Sequence, residues 1–293
     1  MASTIGTGSS ALLRAISTPL KGWMKQHDAG PHSYGSRPAG ELGTIIEADF
    51  IPRLMMSYTS GTEYPPADSD ASIAPDDAAA FATLPLTLEA DELLAKVEAY
   101  LRRGVGVETI LLELLAPSAR KLGQLWEEDE CDFVDVTMGL WRLQEVMREI
   151  AARSPPVIRS MRIQRTALFA PMPGDQHAFG SLIVEEVFAR AGWESEALIE
   201  PRRRELLRLL SDKPFDLVGL TVTNDCPSGA LSKLISAIRT VSKNPQIYVL
   251  IGGRAINENP DLVAEVGADG TAVDAEAALE LAASLMEGVR LGA

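Results

Sequence analysis

The chain has 293 residues, room for about two domains with a sizeable buried core, and its 46% hydrophobic and 23% charged residues predict a soluble globular protein. A net charge of −14 at pH 7 excludes a sequence-independent grip on nucleic acid, which rests on clustered Lys and Arg. No apolar run approaches the ~18 to 20 residues of a membrane span, and no basic cluster followed by an apolar segment opens the chain, so small molecules and other proteins are the expected partners.

Residues 1–40, rich in Ser, Gly, Pro and Ala, read as a flexible N-terminal extension that holds two of the three histidines, His27 and His32. A bundle cap is predicted over 41–155. Its first helix, 41–58, has apolar residues at helical spacing with Pro52 near the middle, and a Pro-, Asp- and Ser-rich stretch near 59–85 reads as a disordered linker. The next helix is bracketed by Thr87 as N-cap and Gly104 as C-cap. Ile110, Leu111, Leu114, Leu115, Leu122 and Leu125 form the stripe of a third, bent at Pro117. Val136, Leu140, Leu143, Val146 and Ile150 form that of a fourth. Short connections make neighbours antiparallel, which gives a four-helix bundle.

After "SPP" (154–156) the rhythm changes. Strand-like "RTALFA", "WESEALI", "DLVGLTV", "QIYVLIG" and "GTAV" alternate with helical "AFGSLIVEEVFARAG", "PRRRELLRLLSD", "SGALSKLISAIRTVS" and "AEAALELAASLMEGV". Alternating segments with unbroken apolar strands predict an α/β fold, a doubly wound parallel sheet of flavodoxin or Rossmann type, over 160–293. Ligands of such sheets lie at the carboxyl ends of the strands, and "PMPGDQH" is the loop after the first. The arginines of "PRRRELLR" read as a solvated helix face. Cys131 and Cys226 form no Cys-x-x-Cys pair and fit a reducing cytosol.

The third histidine, His177, stands in that loop within Asp-x-His-x-x-Gly, with Asp175 and Gly180. Imidazole is the commonest nitrogen ligand of metals, and a ligand His usually donates its other ring N–H to a carboxylate, a role open to Asp175. One His and one Asp do not close a four-ligand zinc site. Any metal here brings most of its own ligands, as a macrocycle does. A plain flavodoxin-like domain, with Asp175 as an N-cap and His177 in solvent, leaves the bundle and the later Gly-Gly unexplained.

These residues resemble the cobalamin-binding domain shared by methionine synthase, corrinoid-dependent mutases and methyltransferases, and light-responsive cobalamin regulators. The resemblance implies cobalamin (hydroxo-, aquo- or adenosylcobalamin) bound base-off, with His177 as lower cobalt ligand and the nucleotide tail in a channel beside the sheet. The family's Ser-x-Leu and Gly-Gly motifs fall on Thr221 and Thr223 and on Gly252 and Gly253; Leu to Thr departs from the pattern. Trp126 and Trp141 are then expected to roof the corrin. The light-sensing regulators carry Trp, nine residues, then Glu-His, where this chain has Trp126 followed by Val136 and Thr137, so the upper face lacks their imidazole.

No stretch of this chain accommodates a substrate barrel of ~250 residues, and none reads as a helix-turn-helix module. The organisation resembles the AerR/PpaA group of cobalamin-dependent antirepressors of photosynthesis genes. That resemblance implies a cytoplasmic, non-enzymatic, light- or redox-responsive regulator acting by protein–protein contact on a PpsR/CrtJ-like transcriptional repressor, without direct DNA binding. The alternative is a corrinoid carrier protein of a methyltransferase system.

Overall fold

A computed structural model describes residues 71–155, 164–223 and 227–291. The helix expected at 41–58 and the extension at 1–40 lie outside the described residues. Helix α1 (Pro75–Phe81) begins inside the stretch read as a linker: Pro75 sits in its first turn with Asp76 and Asp77, and Phe81 is buried. A 3₁₀ turn, Leu84–Leu86, follows. Proline and aspartate are thus helix-start residues here, favourable where free N–H groups and the positive end of the dipole lie.

Helix α2 (Ala90–Arg102) starts at Glu89 rather than Thr87, with the Glu89 N–H donating to Glu92 Oε2 at 3.0 Å. Beyond its end Gly104 adopts φ 88°, the left-handed turn expected of a C-terminal glycine. Helix α3 runs as Val107–Thr109, a π-helical stretch Ile110–Leu115 and Ala116–Glu127. In the π stretch the Ala116 N–H donates to Leu111 O, five residues back. Pro117, which has no N–H and whose ring crowds the carbonyl four residues earlier, explains the widening. Helix α4 (Phe133–Arg153) is capped by Asp132, whose side chain accepts from the Asp135 N–H at 2.8 Å. Its stripe of Val136, Leu143, Val146, Met147 and Ile150 packs with Leu93 and Val97 of α2 and Leu111, Leu114, Leu115 and Leu122 of α3.

The second half is a five-stranded parallel sheet, β1 (Thr166–Pro171), β2 (Glu194–Ala197), β3 (Leu217–Thr221), β4 (Tyr248–Gly252) and β5 (Gly270–Ala272), in the order β2-β1-β3-β4-β5. This is the flavodoxin-like order, and its direction reverses between β1 and β3. Helices α6 (Arg203–Asp212), α7 (Ser228–Val241), α8 (Arg254–Glu258) and α9 (Leu262–Val266) pack with Leu168, Val218, Leu220 and Ile251 on one face. On the other lie α5 (Phe179–Arg190) and α10 (Ala275–Leu291), with Phe188 and Ala282 against Phe169, Leu217 and Leu250. The Arg202–Arg204 side of α6 is exposed, and Leu206 and Leu210 are buried beneath it.

Helix α5 belongs to two cores at once. Phe179, Leu182, Ile183 and Val187 join the bundle cluster, whereas Phe188 packs edge-on to Phe169 and Trp193 with ring centroids 4.7 and 5.1 Å apart. No residue from 181 to 190 is exposed. Arg190 fastens this helix to the bundle, pairing with Glu186 at 2.9 Å, lying 3.9 Å from Glu108 of α3, and donating to Ser154 O at 2.6 Å beyond the end of α4. Among the described residues no helix is long and apolar enough to cross a membrane.

Candidate cofactor site

The β1–α5 loop leaves the sheet at its switch point. Met172 N–H donates to Thr221 O at 2.8 Å, and Asp175 N–H donates back to Met172 O at 2.8 Å across Gly174, whose φ of 98° suits glycine. The turn folds Asp175 inward, leaving its side chain 7% exposed beside a His177 side chain that is 46% exposed. Asp175 Oδ1 accepts from the His177 backbone N–H at 3.0 Å and lies 2.5 Å from His177 Nδ1, while Oδ2 accepts from the Thr223 N–H at 3.1 Å.

Burial pushes the Asp175 carboxyl upward, but the hydrogen bonds from the His177 backbone, its imidazole and the Thr223 backbone outweigh this and hold it below the ordinary carboxylate range. An ionised carboxylate only accepts, so the neutral imidazole carries its proton on Nδ1 and keeps an unprotonated Nε2. That is the arrangement a metal-binding histidine needs. Among the described residues no three His, Cys, Asp or Glu gather as a metal site.

The surroundings fit a bulky group. A Cβ built on Gly180, exposed in the first turn of α5, meets nothing within 4 Å; one on Gly252 meets only Ala272 O, at 3.5 Å. Gly253 differs from its neighbour, because its φ is 99° and a Cβ there falls 2.7 Å from Val222 O. Gly253 therefore serves the turn out of β4, and Gly252 keeps space open. Thr221 Oγ1 lies 2.8 Å from Ser181 Oγ, a fully buried hydroxyl one residue past the motif glycine. Ser181 was not singled out from sequence. Its spacing with Glu185 and Phe188 on the inward face of α5 is the signal that finds it.

On the bundle, Trp126 and Trp141 are 46% and 48% exposed and Phe133 is 68% exposed, and none of the three belongs to the bundle core. Val136, grouped with the upper face by its place in the motif, is instead buried in that core, because it belongs to the stripe of Leu143, Val146 and Ile150. Thr137 is exposed, and its hydroxyl donates to Phe133 O at 2.7 Å. Arg254, next to the glycine pair, is ion-paired with Glu127, which follows Trp126. That contact sets the end of α3 beside the carboxyl edge of the sheet. Cys226 lies outside the described residues.

A flavodoxin-like sheet thus presents one carboxylate-held imidazole at its switch point, where such sheets bind their ligands, and meets a helical bundle at its carboxyl edge. Residues 79–150 match the family model described as B12 binding domain, so the cofactor is cobalamin. A Rhodobacter capsulatus protein described as an uncharacterized 20.5 kDa protein in the bchF-crtJ intergenic region is 28% identical over 165 residues, 56% of this chain and 85% of that protein. The monomethylamine corrinoid protein of Methanosarcina barkeri shares the fold at 16% identity and a TM-score of 0.55, over 71% of this chain and 96% of that one.

Proposed function

We propose that the chain is a cobalamin-dependent regulator that binds its cofactor with His177 as lower cobalt ligand and controls a PpsR/CrtJ-like transcriptional repressor by protein–protein contact. The observation that carries the cofactor half is the buried Asp175 beside His177 at the switch point. Likeness to the protein of the bchF-crtJ region supports the regulatory half. Cobalamin, when bound, supplies a cobalt–ligand bond that light or redox change alters. Asp175 orients the imidazole and fixes its tautomer, Gly180 and Gly252 leave room, and the Trp126–Trp141 surface gives the bundle a face that answers to what lies beneath it. Shifting a docking equilibrium requires the two cofactor states to differ by ~1 to 3 kcal/mol of coupling, within reach of a small rigid-body shift of packed helices.

Absorption spectra of the protein with hydroxocobalamin and adenosylcobalamin, before and after illumination, test the first half. Cobalt bands that change on binding and are lost in His177→Ala support it, and unchanged affinity in that variant sinks it. Capture of a purified PpsR/CrtJ-like repressor by the apo, hydroxocobalamin and illuminated adenosylcobalamin forms tests the second. Equal recovery by all three rejects the switch. The fold shared with a corrinoid protein favours, as second reading, a methyl carrier, for which methyl transfer by partner methyltransferases to the reduced cobalamin-loaded protein is the discriminating assay.

A further inference from the structure

We propose that Arg254 is a latch on the cofactor site: its ion pair with Glu127 ties the Trp126 end of the bundle to the rim of the sheet and sets the rate at which a corrinoid enters and leaves. The inference rests on the cobalamin reading above. Arg254 opens α8 directly after Gly252 and Gly253, and its backbone is firmly anchored. Gly253 lies against the Val222 backbone, the Ala255 N–H donates to Val222 O at 3.2 Å, and Ile256 is fully buried. The Arg254 guanidinium is shared by two carboxylates. Its Nη1 pairs with Glu127, and its Nε donates at 2.9 Å to Oε1 of Glu258, one turn further along α8, which holds the planar fork in place for the bundle.

Glu127 is the last residue of α3 and follows Trp126. Glu128, Asp129 and Glu130 come next; the Glu130 N–H closes the helix end on Leu125 O at 2.8 Å, and Asp129 takes a left-handed φ of 56°. Acidic side chains thus crowd the negative end of a helix dipole, and the last turn of α3 holds no basic residue to offset them. The cation comes from the other half of the molecule, as Arg254. Arg190 fastens the halves at the far end of α5, about 16 Å from the histidine loop by helical rise, and Arg254 fastens them at the end where Trp126 lies. Both partners of the Arg254–Glu127 pair are half-exposed protein side chains at the rim, so its rupture is a step common to entry and exit. Losing the pair speeds both and leaves the equilibrium affinity alone.

The test is stopped-flow absorption with hydroxocobalamin and with cobinamide, which lacks the nucleotide tail, on wild type, Glu127→Gln, Arg254→Met, the double variant and Glu258→Gln. Glu127→Gln and Arg254→Met should each raise the association and dissociation rates of both corrinoids about fivefold, the upper range for an exposed pair, with an unchanged dissociation constant. The double variant should be no faster than either single one, because the same pair is lost. Glu258→Gln, which keeps the bridge to the bundle, should stay within about twofold of wild type, and salt at about 0.5 M should bring wild type up to the variants. Wild-type rates in both single variants, or additive effects in the double variant, overturn the latch. So does a change confined to hydroxocobalamin, which marks the tail channel beside Gly252, and so does faster release with unchanged entry, which marks a contact to the bound corrin. Wild type that binds neither corrinoid defeats the cobalamin reading itself.

Discussion

An alanine Cβ at Gly253 falls 2.7 Å from the Val222 carbonyl on a backbone with φ of 99°. Gly253→Ala should therefore lose about 1 to 3 kcal/mol of stability, seen as a lower urea midpoint, and weaken every corrinoid alike. Gly252→Leu should keep its fold, since the first atom added meets only Ala272 O at 3.5 Å, yet lose cobalamin while still accepting cobinamide. Both glycines read from sequence as one tail-channel motif; the structure separates them because their φ angles and Cβ environments differ. Asp175→Asn, which gives up a charged acceptor of the imidazole N–H, should cost ~10- to 100-fold in cobalamin affinity by titration. The Asp175–His177 pair was legible because both side chains sit on one short loop. The Ser181–Thr221 contact was not, since a hydroxyl on a buried helix face finds its partner only once β3 is set opposite it.

Among the elements, α5 carries charges where its neighbours carry leucine. Glu185 accepts from Ser195 Oγ at 2.7 Å, and its carboxyl is pushed up to about 7, chiefly by burial and also by Glu186 and Glu196, with the Ser195 bond opposing. A folded value above the unfolded one means that the native state holds the extra proton between about 4.5 and 7, so this group's contribution falls as pH rises through that window. Glu185→Gln should raise the urea midpoint at pH 8 and leave it nearly unchanged at pH 4, flattening the pH profile. Arg190→Met strands the buried Glu186 and releases the contact with Ser154, and should cost about 3 kcal/mol by the same measurement. Strands β1, β3 and β4 followed from their apolar runs, β2 and β5 from their place in the alternation of segments, and the longer helices from their stripes. Helix α1 escaped because seven residues rich in Pro, Asp and Ala show little periodicity. Helices α8 and α9, five residues each, are too short to show any.

For the whole molecule, a cofactor that binds only the native state stabilises it by mass action, about 2.7 kcal/mol at a free concentration 100 times the dissociation constant. Cobalamin should raise the melting temperature of wild type and not of His177→Ala. The class of sheet was legible in the alternation of its segments, but the burial of one helix by both halves was not, because nothing in a local pattern says that a second core lies on the far flank. That double burial has a mechanical consequence. Beyond Gly180 helix α5 has no exposed residue on which to slip, so a push on its first turn, where the histidine loop enters, is also a push on Phe179 and Leu182 inside the bundle. The two halves share a common beam instead of a hinge. Amide hydrogen exchange should register it: on cofactor loading, the amides of α3 and α4 slow together with those of α5, although they belong to separate stretches of chain, and α6 on the opposite face keeps its unliganded rate.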